Sequence, residues 1–265
     1  MNKSIFYDHL ITAAKQEKKP VSEIIEYAAS LGYVGADVCW CGESELTKTH
    51  ELLKKFGISI SSVYRFWKFY NLFDKDEAKS FFACVSSLGC KTVMIIPQKS
   101  GQTTDDIEFD RAATALNQLC DMAKEYEITV TVEDFDGTNV VVCNTASLKR
   151  IFNAVPKLKH AFDTGNYAYF NESELDAFEL FKDKIAYVHL KDRLLVSTPE
   201  ILNPETAFGG REVAACAVGE GFVEIKECIN RLVKNGYNGY FSVELFWHNN
   251  MKEAIQKSAE YLNNL

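Results

Sequence analysis

The chain has 265 residues, 47% hydrophobic and 25% charged, with 37 acidic against 29 basic side chains and a formal net charge of −8. With no clustered Lys/Arg face to neutralise phosphates, this balance argues against nucleic acid, and no run approaches the ~20 apolar residues that span a bilayer. "MNKSIFYDHL" carries no apolar leader, so a cytoplasmic protein is expected; the eight scattered cysteines lack CxxC spacing and read as reduced structural thiols.

Short apolar, β-branched runs alternate with longer amphipathic stretches. Strands are expected at 4–11, 34–40, 58–67, 91–98, 128–134, 159–166, 185–192 and 239–247. Helices are expected at 21–32, 44–57, 76–89, 110–127, 145–155, 173–183, 224–236 and 252–265. Gly32, Gly57, Gly89 and Gly236 stand just past helix ends, where a left-handed cap is wanted. Eight strand–helix units, no GxGxxG turn and no Pro/Ser-rich linker predict one α/β domain over residues 1–265, a single closed (β/α)8 TIM barrel. One long connection, 194–220, is expected to form a flap over the site, with Gly209, Gly210 and Arg211 in it.

In such a barrel the chemistry sits at the C-terminal ends of the strands. The last four strands end in "VEDFDG", "FDTGN", "VHLKD" and "VELFW", and each brings one metal-competent side chain: Glu133, Asp163, His189 and Glu244. Each alone has a structural explanation, as a rim carboxylate or a hydrogen-bonded core histidine. Together they do not, because three converging carboxylates repel one another and burial makes that worse. A divalent cation resolves the conflict, and three carboxylates with one imidazole suit Mn2+, Mg2+, Co2+ or Zn2+. One such ion per chain is expected.

Trp40, Trp67 and Trp247 close predicted strands and are candidates for stacking on the C–H face of a sugar, with packing beneath helices as the alternative. Lys191 and Arg193 are candidates for substrate hydroxyls or a phosphate, or for pairing with Asp192 on the rim. His9 and His248 are further pocket candidates, while His50 and His160 read as surface or flank residues.

The order of "VTVEDF", "AFDTGN", "YVHLKD" and "VGEGFVEIKECINRLVKNGYNGYFSVE" resembles the sugar phosphate isomerase/epimerase superfamily, the xylose isomerase-like TIM barrels, over nearly the whole chain. The resemblance implies a single-metal quartet on Glu133, Asp163, His189 and Glu244. It also implies a sugar, keto-polyol or related α-hydroxy carbonyl as substrate, and proton abstraction through a metal-stabilised enediolate. Glu133 and Glu244 would then serve opposite faces of the carbon as base and acid. An isomerase or epimerase is the leading expectation. The alternatives are a lyase that dehydrates a keto-cyclitol or similar acid, and a metal-stabilised sugar-binding subunit without turnover.

Departures from the family pattern narrow this. Its ketose 3-epimerases carry a His three residues after the ligand Asp; here Asn166 stands there, able to hydrogen-bond a substrate but not to shuttle a proton. No second-metal ligand set like that of the large aldose isomerases is present, and five histidines are too few for the multi-zinc endonuclease branch. The expected partner is a small sugar or polyol, with no nucleic acid, no membrane, and room for a homo-oligomer.

Overall fold

Residues alternate between two destinations along the strands, and that period of two builds the architecture. In the computed structural model, which describes residues 1–69, 74–196 and 212–265 together with the backbone of 205–206, the strands are β1 (Asn2–Phe6), β2 (Tyr33–Cys39), β3 (Ser59–Lys68), β4 (Thr92–Gln98), β5 (Thr129–Glu133), β6 (Lys159–Asp163), β7 (Ile185–Lys191), β8 (Arg193–Leu195), β9 (Glu205–Thr206), β10 (Glu212–Ala215) and β11 (Tyr240–Glu244). The α-helices are α1 (Tyr7–Glu17), α2 (Val21–Ser30), α3 (Glu43–Lys54), α4 (Lys75–Ser87), α5 (Asp105–Lys124), α6 (Thr145–Ala154), α7 (Glu174–Phe181), α8 (Ile225–Lys234) and α9 (Met251–Asn263). Eight strands close a parallel barrel in the order β1-β11-β7-β6-β5-β4-β3-β2. On β5, Val130 and Val132 join the large core between strands and helices, whereas Glu133 lines the cavity at the barrel mouth. A second apolar cluster of Phe6, Tyr64, Met94, Ile96, Val140, Ala161 and Tyr187 is separate from that core.

Three expectations change. The first predicted strand, 4–11, is short: β1 stops at Phe6, and Tyr7 opens α1, whose buried His9, Leu10, Ala13 and Ala14 recur at helical spacing. The sixth strand ends at Asp163 instead of Asn166, because the Asp163 carboxylate turns the chain by accepting the backbone N–H groups of Gly165 and Asn166. The connection after β7 carries structure of its own: β8, β10 and β9 form a small antiparallel sheet. Gly209, Gly210 and Arg211, on which the expected flap turned, lie outside the described residues.

Asp192 ties that connection down. Its carboxylate accepts backbone N–H groups from Arg193, Gly219, Gly221 and Val223. A Cβ on Gly221 would lie 2.1 Å from its Oδ1, so the close approach requires glycine. All eight cysteines are free thiols. No helix among the described residues is long and apolar enough to cross a membrane.

Candidate metal centre

β5, β6, β7 and β11 are hydrogen-bonded neighbours, so their C-terminal ends present side chains to one place. One ligand atom from each of Glu133, Asp163, His189 and Glu244 lies within 4.8 Å of the others, and all four residues are buried. Asp163 divides its labour. Oδ1 is taken by Gly165 and Asn166 at 2.7 and 2.8 Å, while Oδ2 is buried without a hydrogen-bond partner. An ionised carboxylate oxygen left so is costly unless a cation meets it. His189 Nδ1 contacts Glu133 Oε1 and lies 3.6 Å from Glu244 Oε2, and its Nε2 is 3.1 Å from Asp37 Oδ2.

The electrostatics describe a site short of positive charge. Burial raises the Asp163 carboxyl well above the usual range, and the neighbouring Glu244 adds to the rise. Burial also raises Glu133, against the pull of His189. For Glu244 burial is outweighed by Lys191 and His189, and the carboxyl titrates low. Burial disfavours the His189 imidazolium, yet Glu133 and Asp37 hold it well above its ordinary pKa. Three carboxylate oxygens and one imidazole nitrogen, one of the oxygens unpartnered, fit a divalent ion such as Mg2+, Mn2+, Co2+ or Zn2+.

Above the quartet opens a cavity of about 230 Å³. Glu133, Glu244 and Asp136 are its charged lining; Phe6, Tyr64, Phe66, Phe135, Phe246 and Trp247 supply aromatic wall, completed by Met94 and Ile96.

Of the three tryptophans, Trp247 lines this cavity, and Trp40 and Trp67 do not. Both pack edge-on against Phe81 of α4, at 4.9 and 6.0 Å, with the Arg65 guanidinium 3.8 Å from the Trp67 ring centroid. Strand phase is the reason: Tyr64 and Phe66 face the cavity, so Trp67 falls on the helix side, and Asp37 faces inward, so Trp40 does likewise. Lys191 and Arg193 are buried and pair with Asp136, at 2.7 and 3.5 Å, instead of with Asp192; Lys191 also reaches Glu244 Oε1 at 2.8 Å. His9 sits outside the cavity, its ring against Phe6 and Phe246 and its Nε2 accepting the Leu245 N–H at 2.7 Å; burial pushes its pKa down to about 3. His248 is half-buried outside the cavity and accepts the Asn250 N–H. Asn166 is buried beside Asp163, does not line the cavity, and its side-chain amide has no hydrogen-bond partner. His160 is not a flank residue: it is fully buried, with Nδ1 on the Val132 carbonyl at 3.2 Å and Nε2 on the Tyr167 hydroxyl at 2.9 Å. Arg211 lies outside the described residues.

Residues 25–265 match the model of the xylose isomerase-like TIM barrel family. The chain belongs to this family. An inosose dehydratase of Lacticaseibacillus casei is 29% identical over 145 residues, 53% of this chain and 48% of that protein. The chain thus matches about half the length of such curated relatives, although an inosose dehydratase of Geobacillus thermodenitrificans, 24% identical, is matched over 84% of this chain and 80% of its own. Among solved structures, a probable 3-DHS dehydratase, AsbF of Bacillus anthracis, superposes with a TM-score of 0.74 at 16% identity, covering 100% of this chain and 99% of that one. At that identity the likeness speaks for the fold alone.

Within this xylose isomerase-like barrel, two charged residues beside the quartet escape a reading of strand ends. Asp37 lies in the middle of β2, where a single charge inside "YVGADVC" is its only signal. Asp136 follows β5 in "EDFDG", and there the acidic neighbours Glu133 and Asp134 draw attention away from it. In the cavity wall, Tyr64 and Phe66 of β3 and Met94 and Ile96 of β4 were legible only through strand phase, as alternate residues.

Proposed function

We propose that this protein is a divalent-metal-dependent lyase that removes water from a keto-polyol of the keto-cyclitol class. The carrying observation is the buried quartet with its unpartnered Asp163 oxygen, set beneath a cavity lined by Glu133 and Glu244. The choice of elimination is supported by the similarity to proteins named inosose dehydratase. It is also supported by Asn166, buried away from the cavity where the family's ketose 3-epimerases carry a proton-shuttling histidine.

Glu133, Asp163, His189 and Glu244 would hold the ion. Bound there, it supplies a Lewis acid beside the substrate carbonyl. The remaining chemistry belongs to the chain. A cavity carboxylate, Glu133 or Glu244, takes the proton next to the carbonyl, and the C–H electrons become a carbon–carbon double bond. As the carbon–oxygen bond of the β-hydroxyl breaks, the same carboxylic acid returns its proton, and water leaves. Lys191, donating to Glu244 Oε1, keeps that carboxylate ionised and oriented. The aromatic wall excludes water and offers flat apolar surface to the C–H face of a ring.

An isomerase or epimerase is the second reading, favoured by one observation: two carboxylates, from β5 and β11, line the same cavity. Incubating Mg2+-loaded protein in D2O with a panel of ketoses and keto-cyclitols, followed by NMR, separates the two. Loss of water is expected. Deuterium entering the substrate without loss of water would replace the lyase by an isomerase, and neither event would leave a binding protein. Metal analysis supplies the first checkpoint: His189→Ala should lose the ion that the wild-type chain retains through gel filtration.

A further inference from the structure

The barrel interior holds a carboxylate that the proposed elimination does not use. Asp37 of β2 is buried, and its two oxygens face different partners. Oδ1 accepts from the hydroxyls of Ser4 on β1 at 3.2 Å, Ser61 on β3 at 2.6 Å, and Tyr187 on β7. Oδ2 faces His189 Nε2 at 3.1 Å. Toward a carboxylate a hydroxyl can only donate, so the three hydroxyls fix which oxygen meets the histidine. An ionised oxygen opposite Nε2 requires a proton on Nε2. A neutral imidazole then carries its lone pair on Nδ1, the nitrogen beside Glu133 and Glu244.

We propose that Asp37 is a positioning residue that holds His189 as its Nε2–H tautomer, making Nδ1 the metal-ligating atom. The inference rests on the metal-centre reading and adds to it a residue from the opposite side of the barrel. Carboxylates that hydrogen-bond the far nitrogen of a ligand histidine fix both its tautomer and its ring orientation.

Asp37→Asn is a probe that keeps the shape of the side chain and removes its charge. Whichever way the amide sits among the hydroxyls of Ser4, Ser61 and Tyr187, which can accept as well as donate, Nε2 loses its ionised acceptor. With the NH2 on Nε2, His189 must move its proton to Nδ1, where the metal should bind; with the amide oxygen there, the ring is held only by a weaker neutral acceptor. Zn2+-loaded protein with 15N-labelled histidine, read by long-range 1H–15N spectra, should show His189 protonated on Nε2 and ligated through Nδ1. The Asn variant should bind Zn2+ about 10–100-fold more weakly. Ser61→Ala, which keeps the carboxylate, should retain the wild-type tautomer. Ligation of wild-type His189 through Nε2 overturns the inference and needs no variant, so a poorly folding Asp37→Asn does not leave it undecided. An Asn variant with unchanged affinity overturns it equally. If His189→Ala itself binds Zn2+ as tightly as wild type, the metal centre falls first, and that outcome is distinct.

Discussion

Lys191 is an ammonium sealed inside the barrel mouth, and its position is tolerable only because two carboxylates meet it. Burial disfavours its charge, but Asp136 and Glu244 reverse that and raise its pKa. Asp136 in turn is held below the usual carboxylate range against burial, first by Lys191 and then by Arg193. Removing one member of such a buried set exposes the others to uncompensated desolvation. Lys191→Met should therefore destabilise the metal-free protein by about 3–5 kcal/mol in urea denaturation, and Asp136→Asn added to it should recover part of the loss. A loss no larger than an exposed pair gives, under about 1 kcal/mol, would mean the mouth is wetter than the structure has it.

At the scale of elements, one side chain ties together the two ends of the connection from β7 to α8. Asp192 gathers four backbone N–H groups from two separated stretches of that connection. Asp192→Ala strands those donors, at roughly 1–3 kcal/mol for a buried unsatisfied group. Limited proteolysis within 194–220 should accelerate in the variant, and an unchanged cleavage rate would refute the tie. The elements were mostly legible in the chain because the pattern is local: β-branched runs, helical spacing, and glycines past four helix ends, which indeed adopt positive φ at Gly32, Gly57, Gly89 and Gly236. What escaped was set by tertiary partners. "SIFYDHLI" is apolar enough for a strand throughout, and only packing of His9, Leu10, Ala13 and Ala14 makes its second half helical. The quartet could be read as four strand ends, whereas the phase that sends Trp67 outward and Asp37 inward required knowing which residues of β2 and β3 face the barrel.

The molecule as a whole should be sensitive to mild acid for reasons lying partly outside its metal centre. His9 and His160 are buried, and burial lowers their pKa values to about 3 and about 4. Because the Val132 carbonyl can only accept, His160 carries its proton on Nδ1 and takes the Tyr167 hydroxyl proton on Nε2. An unfolded chain protonates these histidines near pH 6.5 while the folded one refuses, so stability falls as pH drops from about 6.5 towards 4, by at most about 1.4 kcal/mol per pH unit for each. The raised carboxyls of Glu133 and Asp163 act in the opposite sense in the metal-free protein, since there the folded state binds the extra protons. A comparison isolates the histidine: His160→Gln, which can donate and accept in its place, should show a shallower loss of stability between pH 6.5 and 4.5. Parallel curves would show that His160 titrates normally.

The barrel's closure also sets a timetable for its synthesis. β1 has parallel partners in β2, close in sequence, and in β11, with Asn2 opposite Tyr240 and Ile5 opposite Val243. As the chain leaves the ribosome, β1 and β2 must wait for nearly all the rest before the ring can shut. Glu244, the last residue of the quartet, emerges in the same strand that shuts it. Until then the nascent barrel has an open edge on β1 and Asp163 lacks its full set of partners. Long-range pairing of this kind slows folding and prolongs the exposure of strand edges. The four side chains that could hold a cation are therefore assembled in full only when the ring shuts.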